Sequence, residues 1–360
     1  MFTPGRLSLA RRRRRLTKAK LAELLGLTPH TVLRYESGDI TPPDEMIVRF
    51  ARILDFPIGF FSGEDIDGPP ERAVSFRSLS TMSAMDRRAA LAAGSLAFMF
   101  SDWIDQKFAL PEPALDDFSG FSPEMAARSV RQKWGLGEQP VKNTIHLLEA
   151  KGVRVFSMAE TTKMIDACST WRGDRPFVFL NMFKTAERTR FDVAHELGHL
   201  VLHRHGGPRG REVEDQANQF AEEFLMPRAD VLAIVPRIGT LNQIIQAKRR
   251  WGVSAQALTY RLHRLNITSE WQNRTFCIQM VQHGYTDTEP KGIEREQSLI
   301  WQKVLTVLWK EKVTKADIAS SLNLPQWELE NLLFGLSGLG GGNGSPDEPK
   351  RTAQLKIVAN

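Results

Sequence analysis

Apolar residues recur at three- and four-residue intervals along most of the chain, which predicts a mainly helical protein punctuated by Gly, Pro and Ser/Thr breaks. Leu16, Leu21, Leu24 and Leu25 give a first short helix its apolar face, and Gly26 supplies a turn. Thr28 and Pro29 then read as N-cap and first residue of a second helix, with Val32, Leu33 and Tyr35 inward and His30, Thr31 and Arg34 outward. This is a helix-turn-helix layout, closed by the breaker run Asp65 to Pro70, so residues 1–65 are read as one all-α domain. Helical spacing of Leu91, Phe98, Met99, Trp103 and Ile104 predicts one long helix over Met82 to Phe108, within a connecting region 66–110. Pro123 to Leu148 is again helical, and two short apolar runs, Gly152 to Phe156 and Pro176 to Asn181, read as strands. The second, at Phe177 to Asn181, is the candidate edge strand. Phe191 to Leu202 reads as a buried helix, and Glu212 to Pro227 as a helix with Ala217, Phe220, Ala221, Phe224 and Leu225 inward. Thr240 to Leu265 is a helical pair broken at Gly252 to Ser254, with Ser254 as N-cap. The expected fold is therefore α+β and mainly helical. It comprises the helix-turn-helix domain, a linker helix, an α+β domain with a small sheet at 111–275, and a C-terminal helical region at 276–336. Thr314 to Leu333 within that region repeats a helix-turn-helix pattern, but Glu328 and Glu330 on its second helix suit a protein contact better than DNA. The Gly-rich stretch 337–360 is expected to be a disordered tail.

Composition sets limits on this picture. A chain of 360 residues holds two or three domains, and 42% apolar with 25% charged residues is ordinary globular composition. The longest apolar stretch, Ala89 to Phe100, is too short to span a bilayer, and the N-terminus lacks a secretory pattern, so a cytoplasmic protein with no membrane partner is expected. Cys168 and Cys277 are too few for a disulfide framework or a cysteine zinc site. The net charge of +6 favours a polyanionic partner, and its densest run is Arg11 to Arg15. Those arginines and Lys18 are expected on phosphates, with His30, Thr31 and Arg34 at base edges beside Thr28. The stretch Leu16 to Gly38, with Pro42-Pro43 and Met46 to Leu54 behind it, resembles the Xre/Cro-type repressor DNA-binding domain over residues 6–63. The resemblance implies a double-stranded DNA operator and a homodimer, because such repressors usually bind palindromes.

The chemistry concentrates at His195-Glu196-Leu197-Gly198-His199. Imidazoles four residues apart on a helix diverge by about 40° and can share one Zn²⁺, while Glu196 stands where it can take a proton from water. A catalytic zinc needs a third protein ligand. Glu214 is the best phased on the following helix, with Glu212 and Asp215 as competitors, and Asn218 one turn on can hold an imidazole from behind. His203 continues the four-residue series but is carried past the metal, so a structural or substrate-side role is expected. Asp192 reads as a solvent-facing acid at the helix start, and Tyr260 and His263 as structural residues.

Pro176 to Asn181, Arg188 to His203 and Glu214 to Pro227, in that order, resemble the ImmA/IrrE family of metallopeptidases over residues 120–270. The resemblance implies a zincin-like domain of gluzincin type, with His195, His199 and Glu214 as ligands, Glu196 as general base, and Zn²⁺ or alternatively Mn²⁺ as the ion. It also implies a protein substrate, a repressor cleaved near its DNA-binding domain to relieve repression under stress. The alternative is a DNA-binding regulator that uses the metal fold as a ligand or partner sensor without turnover.

Overall fold

The computed structural model describes residues 1–69, 83–158, 167–204 and 210–338, and the backbone of 75–76 and 356–357. Met82, His205, Gly206, Gly207 and most of the expected tail lie outside the described residues. The N-terminal domain comprises α1 (Pro4–Arg13), α2 (Lys18–Leu25), α3 (Pro29–Ser37), α4 (Asp44–Leu54) and a 3-10 turn at Ile58–Ser62. Thr17 and Thr28 cap α2 and α3 by accepting from the amides of Lys20 and Thr31, and Gly26 ends α2 at φ +65°, where a side chain is strained. Leu7, Leu21, Leu25, Val32 and Phe50 form its core. Leu24 and Leu33, expected inward, are exposed. Each lies about 100° or more from the centre of its helix's buried stripe, Leu21/Ala22/Leu25 and Val32/Tyr35.

After β1 (Ser75–Phe76) the expected long helix is α5 (Ala84–Asp105), capped by Ser83. There follow β2 (Phe108–Ala109), α6 (Pro123–Lys133) and α7 (Thr144–Ala150), so the helical pattern from Pro123 is two helices interrupted around Gly135 to Pro140. Next come β3 (Arg154–Ser157), β4 (Ala167–Arg172), β5 (Arg175–Leu180), α8 (Ala186–Leu202), α9 (Arg211–Leu225), α10 (Arg228–Ile234), α11 (Leu241–Ala247) and α12 (Ala255–Arg264). The C-terminal helices are α13 (Glu270–Gln282), α14 (Leu299–Lys310), α15 (Lys315–Ser321) and α16 (Gln326–Leu333), and β6 (Lys356–Ile357) pairs with β2. Among the described residues no helix is long and apolar enough to cross a membrane.

The main sheet has the order β1-β4-β5-β3, with β3 parallel to β5 and both β4 pairings antiparallel. The run from Phe177, expected at an edge, is the central strand β5, buried between β4 and β3. Strand alternation decides which layer covers each face. Phe177 and Phe179 point toward α5, with the Phe98 and Phe177 rings 4.5 Å apart. Ser169 and Trp171 of β4 point the other way, and the Trp171 indole donates to Leu200 O of α8 at 3.2 Å. The helix bearing the two histidines therefore packs against β4.

Most of the arginine run, expected on DNA phosphates, is engaged within the protein, with Arg11 and Arg13 buried. Arg11 makes a two-pronged pair with Glu36 at 2.6 and 3.0 Å, Arg13 and Arg14 both reach Glu328 of α16 at 2.9 and 2.6 Å, and Arg15 meets Asp86 of α5 at 2.9 Å. Arg14 also stacks over Phe56 and Trp327 at 4.5 and 4.3 Å. The run thus ties the N-terminal domain to α5 and to the C-terminal helices, and Arg12 alone among its five residues is classed as exposed.

Candidate metal centre

Helix α8 begins at Thr185, whose hydroxyl accepts from the Arg188 amide, and nearly every residue from Thr189 to Leu202 is buried. Such a helix can be apolar all round because β4 covers one side and α9 another. The approach of α9 depends on a residue inside the histidine motif. A Cβ at Gly198 would stand 3.1–3.2 Å from the Phe220 side chain, so the glycine lets the two helices close up. That closeness brings Glu214, in the first turn of α9, over His195 and His199.

The three groups converge. His195 Nε2 and His199 Nε2 are 3.1 Å apart, and the Glu214 oxygens lie 3.2 Å from the first and 3.6 Å from the second. A tetrahedron with edges of this size has its centre about 2 Å from each corner, which is the zinc–nitrogen and zinc–oxygen bond length. His195, His199 and Glu214 are the one His/Cys/Asp/Glu group among the described residues whose donor atoms could hold a metal ion. Two nitrogens and a carboxylate are a donor set that Zn²⁺ accepts readily and other divalent ions tolerate. Of the competitors for the third position, Asp215 instead accepts from Gln219 at 2.6 Å and faces Arg264 at 3.5 Å.

Hydrogen bonds from behind turn Nε2 of each imidazole toward Glu214. His195 Nδ1 lies 3.0 Å from Asn218 Oδ1; an amide oxygen only accepts, so Nδ1 carries the proton and Nε2 keeps its lone pair. His199 reaches the same state through a longer chain. Gln216 Oε1 accepts from His203 Nε2 at 2.9 Å, so His203 Nδ1 is an acceptor, and it takes the proton of His199 Nδ1 at 3.1 Å. Burial pushes the His203 pKa below its ordinary value despite the Gln216 bond, which keeps that ring neutral and able to accept. His203 thus stands behind His199 and orients its ring.

Glu196 is buried on the sheet side of α8, where Ser169 Oγ of β4 donates to its carboxylate at 2.6 Å. Cys168, next to Ser169, is fully buried, and burial with the nearby Glu196 charge pushes its thiol pKa well up, leaving it inert. Asp192 is buried rather than solvent-facing, paired with Lys184 at 3.2 Å. A cleft of about 640 Å³ opens beside the centre between α8, α9 and α12, lined by Asp192, Asn218, Tyr260 and His263 among others. The His263 ring lies 3.3 Å from Thr268 O, and Tyr260 is half exposed at the cleft wall.

Residues 148–263 match the model of the M78 peptidase family, described as the IrrE N-terminal-like domain, and residues 5–59 match a helix-turn-helix domain. The chain fuses an Xre-type helix-turn-helix domain to an IrrE/ImmA-like peptidase domain. No curated protein matches it. The peptidase match begins within α7 and ends within α12, so it contains the sheet strands β3 to β5 and the His195, His199 and Glu214 cluster. In the helix-turn-helix domain, His30 and Arg34 are exposed on α3, Thr31 is partly covered, and the Thr28 hydroxyl is engaged in capping and lies 2.9 Å from that of Thr31. Lys18 is 3.6 Å from Glu36, the same carboxylate that holds Arg11.

Ser169 and Gln216 were not foreseen. Ser169 sits on a strand, Ala-Cys-Ser-Thr-Trp-Arg, without alternation to announce it, and Gln216 is a half-buried polar residue of α9 that nothing in its local sequence sets apart. The His203 series did carry a signal, because residues at i, i+4 and i+8 share one helix face.

Proposed function

We propose that the chain is a DNA-binding transcriptional regulator whose metal-dependent endopeptidase domain cleaves a repressor-like protein and so relieves repression. The observation that carries this reading is the convergence of His195, His199 and Glu214 at tetrahedral spacing with Glu196 on the same helix. A divalent ion, Zn²⁺ or Mn²⁺, held by those three would polarise a peptide carbonyl and make water more acidic. The chain's own groups supply the rest. Asn218 and His203 hold the imidazoles in the binding tautomer, and Glu196 takes the proton of the attacking water and returns it to the leaving amine. The Ser169 hydroxyl fixes the direction of that carboxylate. In the helix-turn-helix domain, His30, Thr31 and Arg34 on α3 read base edges, with Thr28 and Lys18 beside them at the backbone. We assign units to residues 1–65 (DNA-binding), 66–110 (linker and helix), 111–275 (peptidase) and 276–336 (C-terminal helices), followed by a tail.

Glu196→Gln should keep the metal and lose about 10²- to 10⁴-fold in cleavage. The variant is expressed in place of the wild type, co-purifying host proteins are isolated, and each is incubated with metal-loaded wild-type chain. Cleavage by the wild type alone, with a reporter promoter that only the wild type derepresses, is expected. Equal derepression by both proteins would replace proteolysis with the sensor reading, which draws on the Ser169 bond already occupying the Glu196 carboxylate.

A further inference from the structure

A second cleft, of about 340 Å³, shares no residue with the metal centre and lies between the DNA-binding domain and α5. One long wall is Gly5, Ser8, Leu9 and Arg12 of α1, and the facing wall is Arg88, Leu91, Ala92 and Ser95 of α5. Each set is spaced i, i+3, i+4, i+7, so it occupies one face of its helix and runs about 10 Å. Arg6 reaches the Met99 sulfur at 3.4 Å while Arg15 meets Asp86 at 2.9 Å, so the two helices run antiparallel. Arg12 and Arg88 therefore share one end of the cleft. Residues 65–69 close the other: a Cβ on Gly5 would stand 2.1 Å from Asp65 Oδ1, and one on Gly68 would stand 2.7 Å from Ser95 Oγ. The glycines let this segment lie against both helices at once.

Charge in the cleft is unbalanced. Its two acids are already matched: Glu36 is taken by Arg11 at 2.6 and 3.0 Å with Lys18 at 3.6 Å, and Asp65 accepts from the Ile66 amide at 3.0 Å and is near enough to the Arg6 guanidinium to stabilise its charge. Arg12 and Arg88 are exposed, and among the described residues neither makes an ion pair or a hydrogen bond. The half-buried Ser8 hydroxyl, one turn before Arg12, is likewise without a hydrogen-bond partner. Two guanidinia on facing helices repel each other unless an anion stands between them, and their planar forks of donors suit phosphate or carboxylate oxygens. From that end toward residues 65–69 the surface is apolar, formed by Leu9, Leu91 and Ala92.

We propose that this cleft is a binding site for a small anionic molecule, its phosphate or carboxylate head held by Arg12, Arg88 and Ser8 and its body lying along Leu9, Leu91 and Ala92. The volume falls at the lower end of the range for small-molecule sites. Because Glu36 lines the same cleft, the ligand touches α1, α5 and the last turn of α3 together. The site does not depend on turnover at the metal centre.

The test uses the full chain in metal-free buffer at fixed ionic strength, with binding read by titration calorimetry. Phenyl phosphate and phenylsuccinate are the probes, one for each head group. One molecule of at least one of them should bind per chain with a Kd below about 1 mM, and the preferred probe says whether the head is phosphate or carboxylate. Inorganic phosphate, which lacks a body, should bind at least about tenfold more weakly. Arg12→Gln and Arg88→Gln should each weaken the preferred probe by at least about tenfold, since each removes a charged hydrogen-bond donor. Ser8→Asp, which supplies the arginines with a carboxylate of the chain itself, should abolish binding. Arg52→Gln, at an exposed arginine of α4 outside the cleft, should leave it unchanged. Failure of both probes on the wild-type chain, or equal binding by the three cleft variants, overturns the site. Inorganic phosphate binding as tightly as the probes reduces it to an adventitious anion on surface arginines and also overturns it. Duplex binding provides the last arm: its salt dependence should be the same for Arg12→Gln/Arg88→Gln as for wild type. A slope lower by about one for each arginine would give both residues to the DNA backbone instead.

Discussion

The two-step relay behind His199 makes a quantitative prediction. His203→Ala removes the acceptor of His199 Nδ1–H, 3.1 Å away, in a ring that is itself 5% exposed. A buried donor left without a partner costs about 1–3 kcal/mol. The ring can avoid that cost by moving its proton to Nε2, but Nε2 is then unable to bind a metal. Either route weakens the centre. Loss of a partner behind a ligating histidine lowers metal affinity by about 10- to 100-fold, or about 1.4–2.7 kcal/mol, which agrees with the desolvation cost. The assay is competition for Zn²⁺ against a chromophoric chelator, with circular dichroism to show that the helices persist. His203→Gln should recover part of the loss, because an amide oxygen can accept where the imidazole did. Gln216→Ala should cost less than His203→Ala, since it removes only the outer bond at 2.9 Å. An affinity for His203→Ala within twofold of wild type would refute the relay and make His203 a packing residue.

Other consequences follow from the same contacts. Glu328→Ala strands Arg13, whose side chain is 3% exposed, and should lower stability by about 3–5 kcal/mol in urea unfolding; changing Arg13, Arg14 and Glu328 together to Met should restore most of it. Glu149 caps α14 by accepting from Ser298, Leu299 and Ile300, yet burial pushes its pKa up to about 7. The folded chain therefore holds a proton there that the unfolded chain releases near pH 4.5, so stability falls as pH rises from about 4.5 to 7, by at most about 3 kcal/mol. Thermal melts should show Glu149→Gln gaining on wild type across that window, and a constant difference would contradict the assignment. Arg34→Ala should weaken binding to a duplex selected from a random pool by about 1–3 kcal/mol and relax one base position, measured by anisotropy at fixed salt.

What the sequence made legible follows from geometry that local spacing determines. The caps at Thr28 and Ser254 and the candidate pair His195/His199 are local, and each is read within one or two helical turns. The third candidate ligand is not local, since α8 and α9 meet through the Gly198–Phe220 contact, and only the phase of Glu214 with Ala217 and Asn218 pointed to it. Strand position was least legible. The run Phe177 to Leu180 is apolar at every residue because β5 is covered on both faces and both edges, and an edge strand has no reason to look like that. The true neighbour of the centre, β4, carries Ser169 and Thr170 buried beside a hydrophobic face, a pattern that only tertiary contacts justify.

The arginine run shows why charge density alone misplaces an interface. Successive helical residues turn by about 100°, so consecutive arginines at the end of α1 sweep around the helix and cannot all address one DNA backbone. Those turned toward the protein must be neutralised there, and Glu36, Glu328 and Asp86 do so from three different elements. The partners bind the N-terminal domain to α5 and α16. A duplex that displaced α1 would therefore be expected to loosen a buried ion-pair cluster. Amide exchange in α16 should then rise when a duplex binds. Exchange that stays fixed in α16 when DNA binds would uncouple the N-terminal domain from the C-terminal helices.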